Sequence, residues 1–175
     1  MPVLTPPEPL TTSHDLSKFC SGVQTLDDWL QRRALKNETN LASRTYVTCD
    51  ESRVVGYYCL AAGAVALAGA PKKLTRNMPD PIPVMVLGRL AIDKAYQNRG
   101  IGKGLLLDAV RRSAQAAQIA GVSTLLVHAL SEEARRFYLA QGFIESPVQP
   151  MTLCLRLVDV IEGWRQAAEQ GPHSN

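Results

Sequence analysis

At 175 residues, with 46% hydrophobic and 20% charged side chains, the chain has the composition of one globular domain. A chain of this length buries roughly 70% of its unfolded surface without disulfide staples. That composition excludes wholesale disorder, collagen and coiled coil. A net charge of +3, from 19 Lys and Arg against 16 Asp and Glu, falls short of a dedicated DNA-binding module.

The first thirteen residues are proline-rich and read as an extended lead-in; Glu8 and the lack of a basic start argue against a signal peptide. Thr25 is placed to cap a helix, with Asp28 at the box position, and Leu26, Trp29, Leu30 and Ala34 follow at helical spacing. Arg32, Arg33 and Lys36 fall off that stripe. Two strands are predicted, Thr45 to Cys49 and Val54 to Leu67, joined by a hairpin turn at Asp50-Glu51-Ser52. Residues 69–83 hold four prolines, with Lys72, Lys73 and Arg76, and predict a long surface loop. Val84 to Ile92 is a third strand, interrupted by Gly88 and Arg89.

A glycine turn then opens a helix over Gly102 to Ala120, with Ile101, Leu105, Leu106, Ala109, Val110 and Ile119 on its apolar stripe and Gly121 at its end. Thr124 to His128 is a strand. Glu132 to Gln141 is a helix presenting Ala134, Phe137 and Tyr138 on one face. Met151 to Leu157 is a last strand, Val158 to Glu169 a terminal helix, and residues 171–175 a frayed tail. The alternation predicts an α/β fold, a mixed sheet with helices packed on it, in a single domain over residues 1–175.

Cys20, Cys49, Cys59 and Cys154 lack C-x-x-C spacing, and His14, His128 and His173 are scattered. The expectation is free thiols, a reducing cytoplasm and no metal. The longest apolar stretch, Cys59 to Ala70, is broken by Gly63 and Gly69 and is too short to cross a membrane.

The sharpest chemical signal is Gln97-Asn98-Arg99-Gly100-Ile101-Gly102, between a strand and a helix. A helix N-terminus offers unpaired N–H groups and a partial positive charge, and glycines let a ligand come close. Such a turn binds phosphate or pyrophosphate, with Arg99 and Lys103 adding charge. It is neither a dinucleotide fingerprint nor a Walker loop, and a plain tight turn is the competing reading.

These residues resemble the Q/R-x-x-G-x-G/A acyl-CoA signature of the GNAT N-acetyltransferases. Leu90-Ala91-Ile92-Asp93 resembles the end of that family's strand before the signature, and Ala134 to Phe143, A-R-R-F-Y-L-A-Q-G-F, its A-x-x-x-Y-x-x-x-G-F segment. Phe19-Cys20-Ser21-Gly22, Leu26-Asp27-Asp28-Trp29-Leu30, Val86 to Asp93 and Val127 to Leu130 resemble the TacT-type toxins of toxin–antitoxin pairs. One departure is Ser131, where many GNATs carry Asn.

The resemblance implies the GNAT fold, with helices on both faces of a sheet whose central strands, here Val84–Ile92 and Thr124–His128, splay apart to admit acetyl-CoA. It implies cofactor contacts at Leu90, Ala91 and Ile92, at Gln97, Asn98, Arg99, Gly100, Ile101, Gly102, Lys103 and Gly104, and at Ser131, Ala134 and Phe137. Tyr138 aligns with the family's general acid. The implied reaction is acetylation of the amino group of aminoacyl-tRNA, which stops translation, by a cytoplasmic homodimer. The implied partners are a ribbon-helix-helix antitoxin and, only through it, operator DNA. Arg89, Lys72, Lys73, Arg76, Arg33 and Lys36 are the candidate tRNA contacts, although solvated surface explains most of them equally well. Two other readings stay open: a GNAT enzyme acting on a small amine or a protein N-terminus, and a non-catalytic acyl-CoA-binding module. From spacing alone Tyr138 reads as a core aromatic, His128 as a satisfied structural residue, and Glu132-Glu133 as acids favouring a helix start.

Overall fold

The computed structural model describes residues 2–171; His173 and the predicted tail from residue 172 onward lie outside the described residues. The elements run β1 (Glu8–Pro9), α1 (Gln24–Arg32), α2 (Ala34–Thr39), β2 (Arg44–Asp50), β3 (Arg53–Val65), α3 (Lys72–Thr75), β4 (Ile82–Ile92), α4 (Ile101–Ala120), β5 (Thr124–His128), α5 (Glu132–Ala140), β6 (Ile144–Glu145), β7 (Thr152–Arg156) and α6 (Leu157–Gln170). The strands follow the hydrogen-bonded order β1-β2-β3-β4-β5-β7-β6. The class is the predicted mixed α/β sheet flanked by helices. Of the described residues, those within 1–62 and 87–109 form one compact unit, and those within 63–86 and 110–175 form another.

In the first unit β2 and β3 make an antiparallel hairpin, Arg44 opposite Leu60 and Asp50 opposite Arg53, turning where Glu51 takes a φ of 55°. The lead-in does more than run extended. Glu8 pairs with Val47 and Pro9 with Tyr46, so β1 edges β2; a two-residue strand beside prolines gives no alternation to read. The core gathers Phe19, Trp29, Leu30, Val47, Val54 and Tyr57. Trp29 stacks on the Tyr57 ring at 6.0 Å, and Phe19 meets it edge-on at 5.5 Å.

The start of α1 differs from expectation. The helix begins at Gln24 after an extended Val23 with no side-chain cap, and Thr25 lies inside the first turn. Asp27 replaces the expected box. Its Oδ1 accepts the Ser21 N–H at 2.9 Å and the Ser21 hydroxyl at 2.6 Å, tying down the preceding loop. Gly22 in that loop has a φ of 96°, the left-handed region that favours glycine, and lies against the Lys94 side chain.

In the second unit β5 and β7 pair antiparallel from Thr124–Arg156 to His128–Thr152. Residues 69–83 are not the predicted plain surface loop. Within them α3 forms, and Ala70, Leu74 and Ile82 are buried with Val84, Leu126 and Cys154. Ala70, Leu74, Met78 and Ile82 recur every four residues, but the prolines among them stop a helix from running the length of the segment, so α3 is short and the rest of the burial is supplied by Val84, Leu126 and Cys154. Leu67, expected to end a strand, opens a 3₁₀ turn over Leu67–Gly69. Ile119 departs from its predicted stripe and is 87% exposed, because the last turn of α4, from Gln118 to Ala120, lies in solvent.

Candidate active site

The connection after β4 is fastened from below. Asp93, 3% exposed, accepts the Ala95 N–H on Oδ1 at 3.0 Å; on Oδ2 it accepts the Cys20 N–H at 3.0 Å and Arg53 Nη2 at 3.3 Å. Tyr96 donates its hydroxyl to Asp50 at 2.6 Å, which raises the phenol's pKa. The turn itself then opens outward. Asn98 and Gly100 both take positive φ, 63° and 80°. An added Cβ at Gly100 or Gly104 would meet no atom within 4 Å, and at Gly102 only Ile92 Cγ1 at 3.8 Å. Protein packing therefore does not account for three glycines in five residues. They leave the start of a twenty-residue helix, with no acid in its first turn, bare to an approaching anion. Arg99 lies over the Tyr96 ring at 5.3 Å, and Lys103, in the first turn of α4, is exposed.

Gln97 sits in this turn but faces the other way. Its Nε2 donates to the Ser21 carbonyl at 2.8 Å and to the Ile92 carbonyl at 2.9 Å. Its side chain holds the turn rather than reaching out of it.

On β4 itself, Ala91 is buried and Leu90 and Ile92 are half-buried. Arg89 has a reason to stand in a strand: its guanidinium lies over the Trp29 ring, 4.3 Å from the centroid. Burial pushes the Cys59 thiol up, against the pull of the Arg89 charge. An added Cβ at Gly88 would stand 3.1 Å from the Cys59 sulfur, a tight approach within the strand.

In the second unit Ser131 caps α5, its Oγ accepting the Ala134 N–H at 3.0 Å. Glu132 and Glu133 occupy the first turn, as a helix dipole favours, and Glu132 pairs with Arg135 at 2.8 Å. Tyr138, 6% exposed, lies between Phe137 and Phe143 at ring distances of 5.2 and 5.4 Å. Burial raises its pKa well above the usual phenol value, so it is a neutral hydroxyl at any cellular pH.

Known proteins resemble the chain over most of its length. The acetyltransferase (GNAT) domain family matches residues 42–145. The tRNA-acetylating toxin of Mycobacterium tuberculosis (strain ATCC 25618 / H37Rv) is 48% identical over 153 residues, 87% of this chain and 92% of that protein. The chain belongs to the GNAT acetyltransferase family. Among solved structures, AtaT complexed with acetyl-methionyl-tRNAfMet superposes with a TM-score of 0.86 at 30% identity, over 93% of this chain and 99% of that one. A tyrosine-to-phenylalanine mutant of AtaT, bound to the C-terminus of the antitoxin AtaR and acetyl-CoA, superposes with a TM-score of 0.79 at 29% identity, over 92% and 98%.

The protein is thus an acetyl-CoA-dependent acetyltransferase of the GNAT fold. Its other candidate residues are placed as follows. Arg33 and Lys36 are exposed in the first unit; Lys72, Lys73 and Arg76 are exposed in the second, with Lys73 paired to Asp159 at 3.3 Å. His128 Nδ1 bonds Thr152 Oγ1 at 2.8 Å, the structural role expected of it. Among the described residues, no helix of this GNAT chain is long and apolar enough to cross a membrane.

One cluster escaped the sequence. Ligand atoms of Glu8, His14 and Cys49 come within 4.8 Å of one another because the lead-in pairs along β2. Their protonation explains them without an ion. The Thr11 N–H donates to His14 Nδ1 at 2.9 Å, so the ring proton sits on Nε2 and points to Glu8 at 2.9 Å. An ion on Nε2 would need the other tautomer, which gives up the Thr11 bond. Burial and the Glu8 charge push the Cys49 thiol up to about 11, which disfavours the thiolate a metal needs.

Proposed function

We propose that this acetyltransferase is the toxin of a toxin–antitoxin pair and that it acetylates the amino group of aminoacyl-tRNA. The carrying observation is the 48% identity to a tRNA-acetylating toxin over 87% of the chain. The toxin-like opening, Phe19 to Leu30, supports the same reading, because its Trp29, Leu26 and Asp27 form the buried face of α1.

The residues divide the work. The N–H groups from Asn98 to Gly104 take the pyrophosphate, with Arg99 and Lys103 supplying charge. The backbone of Leu90 to Ile92 pairs with the amides of the pantetheine arm as an added strand would. Ser131, Ala134 and Phe137 complete the cofactor contacts. A backbone N–H near Ile92 polarises the thioester carbonyl. The substrate α-amine has a reference pKa of about 7.7–8.0, lowered further by its ester, so much of it is neutral without a strong base. The amine nitrogen bonds to the carbonyl carbon, the carbon–sulfur bond breaks, and Tyr138 donates its phenolic proton to the departing thiolate. The proton released from the amine goes to solvent and the phenol is restored. Arg89, Arg33, Lys36, Lys72, Lys73 and Arg76 meet the RNA phosphates. The reading includes a cytoplasmic homodimer, a ribbon-helix-helix antitoxin, and operator DNA met only through that antitoxin.

Expression in bacteria tests the reading. Wild type should arrest growth, and a folded Tyr138→Phe should not, since the ring still packs on Phe137 and Phe143 while the donor is gone. No arrest by wild type would move the substrate to a small amine or a protein N-terminus.

A further inference from the structure

Gln97 has two carbonyl partners in different parts of the first unit, Ser21 before α1 and Ile92 at the end of β4. The bonds continue beyond Ser21. Asp27 of α1, 6% exposed, accepts both the N–H and the hydroxyl of Ser21. One residue earlier the Cys20 N–H donates to Asp93, and the Cys20 carbonyl accepts the Lys94 N–H at 2.8 Å. Residues 20 and 21 are therefore bonded on one side to α1 and on the other to both ends of the connection from Asp93 to Gln97. A buried carboxylate inside a short helix is costly unless its partners are fixed. Here its partner is a loop whose next residue, Gly22, has a φ of 96° and lies under Lys94.

We infer that Gln97 and Asp27 are positioning residues that couple the glycine turn to α1, so that filling the turn stiffens the helix. An anion on the N–H groups after Gln97 fixes the backbone of the turn. Gln97 then holds the Ser21 carbonyl in one place, and Ser21 holds Asp27. Linkage makes the effect mutual: whatever orders α1 tightens the turn on its ligand. The helix at the far end is not a neutral one. It ends in Arg32, with Arg33 at its C-cap, and it carries Trp29 beneath Arg89. The inference rests on the pyrophosphate reading of the turn.

Amide hydrogen exchange of the full chain, with and without saturating acetyl-CoA, tests it. In wild type, residues 98–104 and residues 19–30 should both gain protection. Gln97→Met keeps length and removes the donor without adding charge. There residues 98–104 should still gain protection and residues 19–30 should not. Gln97→Arg, which again offers donors, should restore the second effect. Calorimetry on the same variants should show acetyl-CoA bound about tenfold more weakly by Gln97→Met and by Asp27→Ala, since each breaks the link through which an ordered helix holds the turn. The double variant should lose less than the product of the two. Asp27→Asn, which keeps an oxygen on Ser21, should bind like wild type; weakened binding there would overturn the role given to the Ser21 bonds, and Gln97→Met carries the loss test where Asp27→Ala does not fold. Protection at 98–104 with no change at 19–30 in wild type overturns the coupling alone, as does the wild-type response in Gln97→Met. No protection at 98–104 in wild type overturns the pyrophosphate reading and the coupling with it.

Discussion

The glycine turn and the basic α3 segment both offer positive charge, but they are built in opposite ways. Beneath the turn lie a buried Asp93 with three donors, a Tyr96–Asp50 bond and Gln97 on two carbonyls, so the backbone N–H groups of residues 98–104 stand on a fixed floor. Around Lys72, Lys73 and Arg76 the backbone is anchored through the apolar Ala70, Leu74 and Met78, and the cations stand in solvent, one of them on Asp159. A fixed ring of donors recognises one ligand at one distance. Loose cations recognise charge density, with an affinity that salt erodes. The first design suits a small cosubstrate bound the same way at each turnover, and the second suits a long polyanion.

The difference predicts a graded set of losses. Gly102→Glu should be the most severe, abolishing acetyl-CoA binding by calorimetry, because it puts an anion where phosphate must approach. Tyr138→Phe should leave acetyl-CoA affinity unchanged and lower kcat by about 10²–10⁴, the range for a lost general acid. Its burial also fixes the pH profile. The folded pKa is raised, so the phenol stays protonated from acid through cellular pH and Tyr138 adds no falling limb there. Activity should rise with pH as the substrate amine loses its proton and then level off. A decline between pH 7 and 9 on intact substrate would count against Tyr138 as the donor.

Smaller effects belong to the cations. Arg89→Lys should behave like Arg89→Ala in aminoacyl-tRNA binding, because a lysine keeps the charge but loses the planar stack on Trp29. If Lys rescues fully, Arg89 acts as a point charge and the stack is incidental. Lys72, Lys73 and Arg76 changed together to Ala should weaken tRNA and leave acetyl-CoA untouched. The log–log salt slope should become shallower by about 0.7–0.9 for each phosphate no longer neutralised. Filter binding across salt concentrations measures this, and an unchanged slope would return these residues to ordinary surface.

What the sequence made legible was local. Thr124–His128 emerged with the predicted bounds because a β-branched run between a glycine and a helix cap has few other solutions. The turn was legible because its glycines serve backbone geometry within a few residues. The floor beneath it was not. Gln97 finds Ser21 across 76 positions, and Asp93 finds Cys20 across 73, so no spacing rule connects them. Thr25 was a sound cap by type, yet Asp27 captured the loop instead and moved the helix start to Gln24. Arg89 looked out of place in a strand until Trp29, sixty residues earlier, supplied a ring for it to cover. The α3 segment was misread for a related reason: its prolines advertise a turn, while Leu74 and Ile82 are buried by elements remote in sequence.

The central claim is that the acetyl group goes to the amine of a charged tRNA. The direct measurement incubates the purified protein with radiolabelled acetyl-CoA and, in separate reactions, aminoacyl-tRNAs, the same tRNAs uncharged, and free amino acids. Label should enter the RNA fraction only with charged tRNA and leave it on mild alkaline hydrolysis as an N-acetylated amino acid; Tyr138→Phe should transfer little. Label on free amines or protein N-termini, with none on any charged tRNA, would contradict the account.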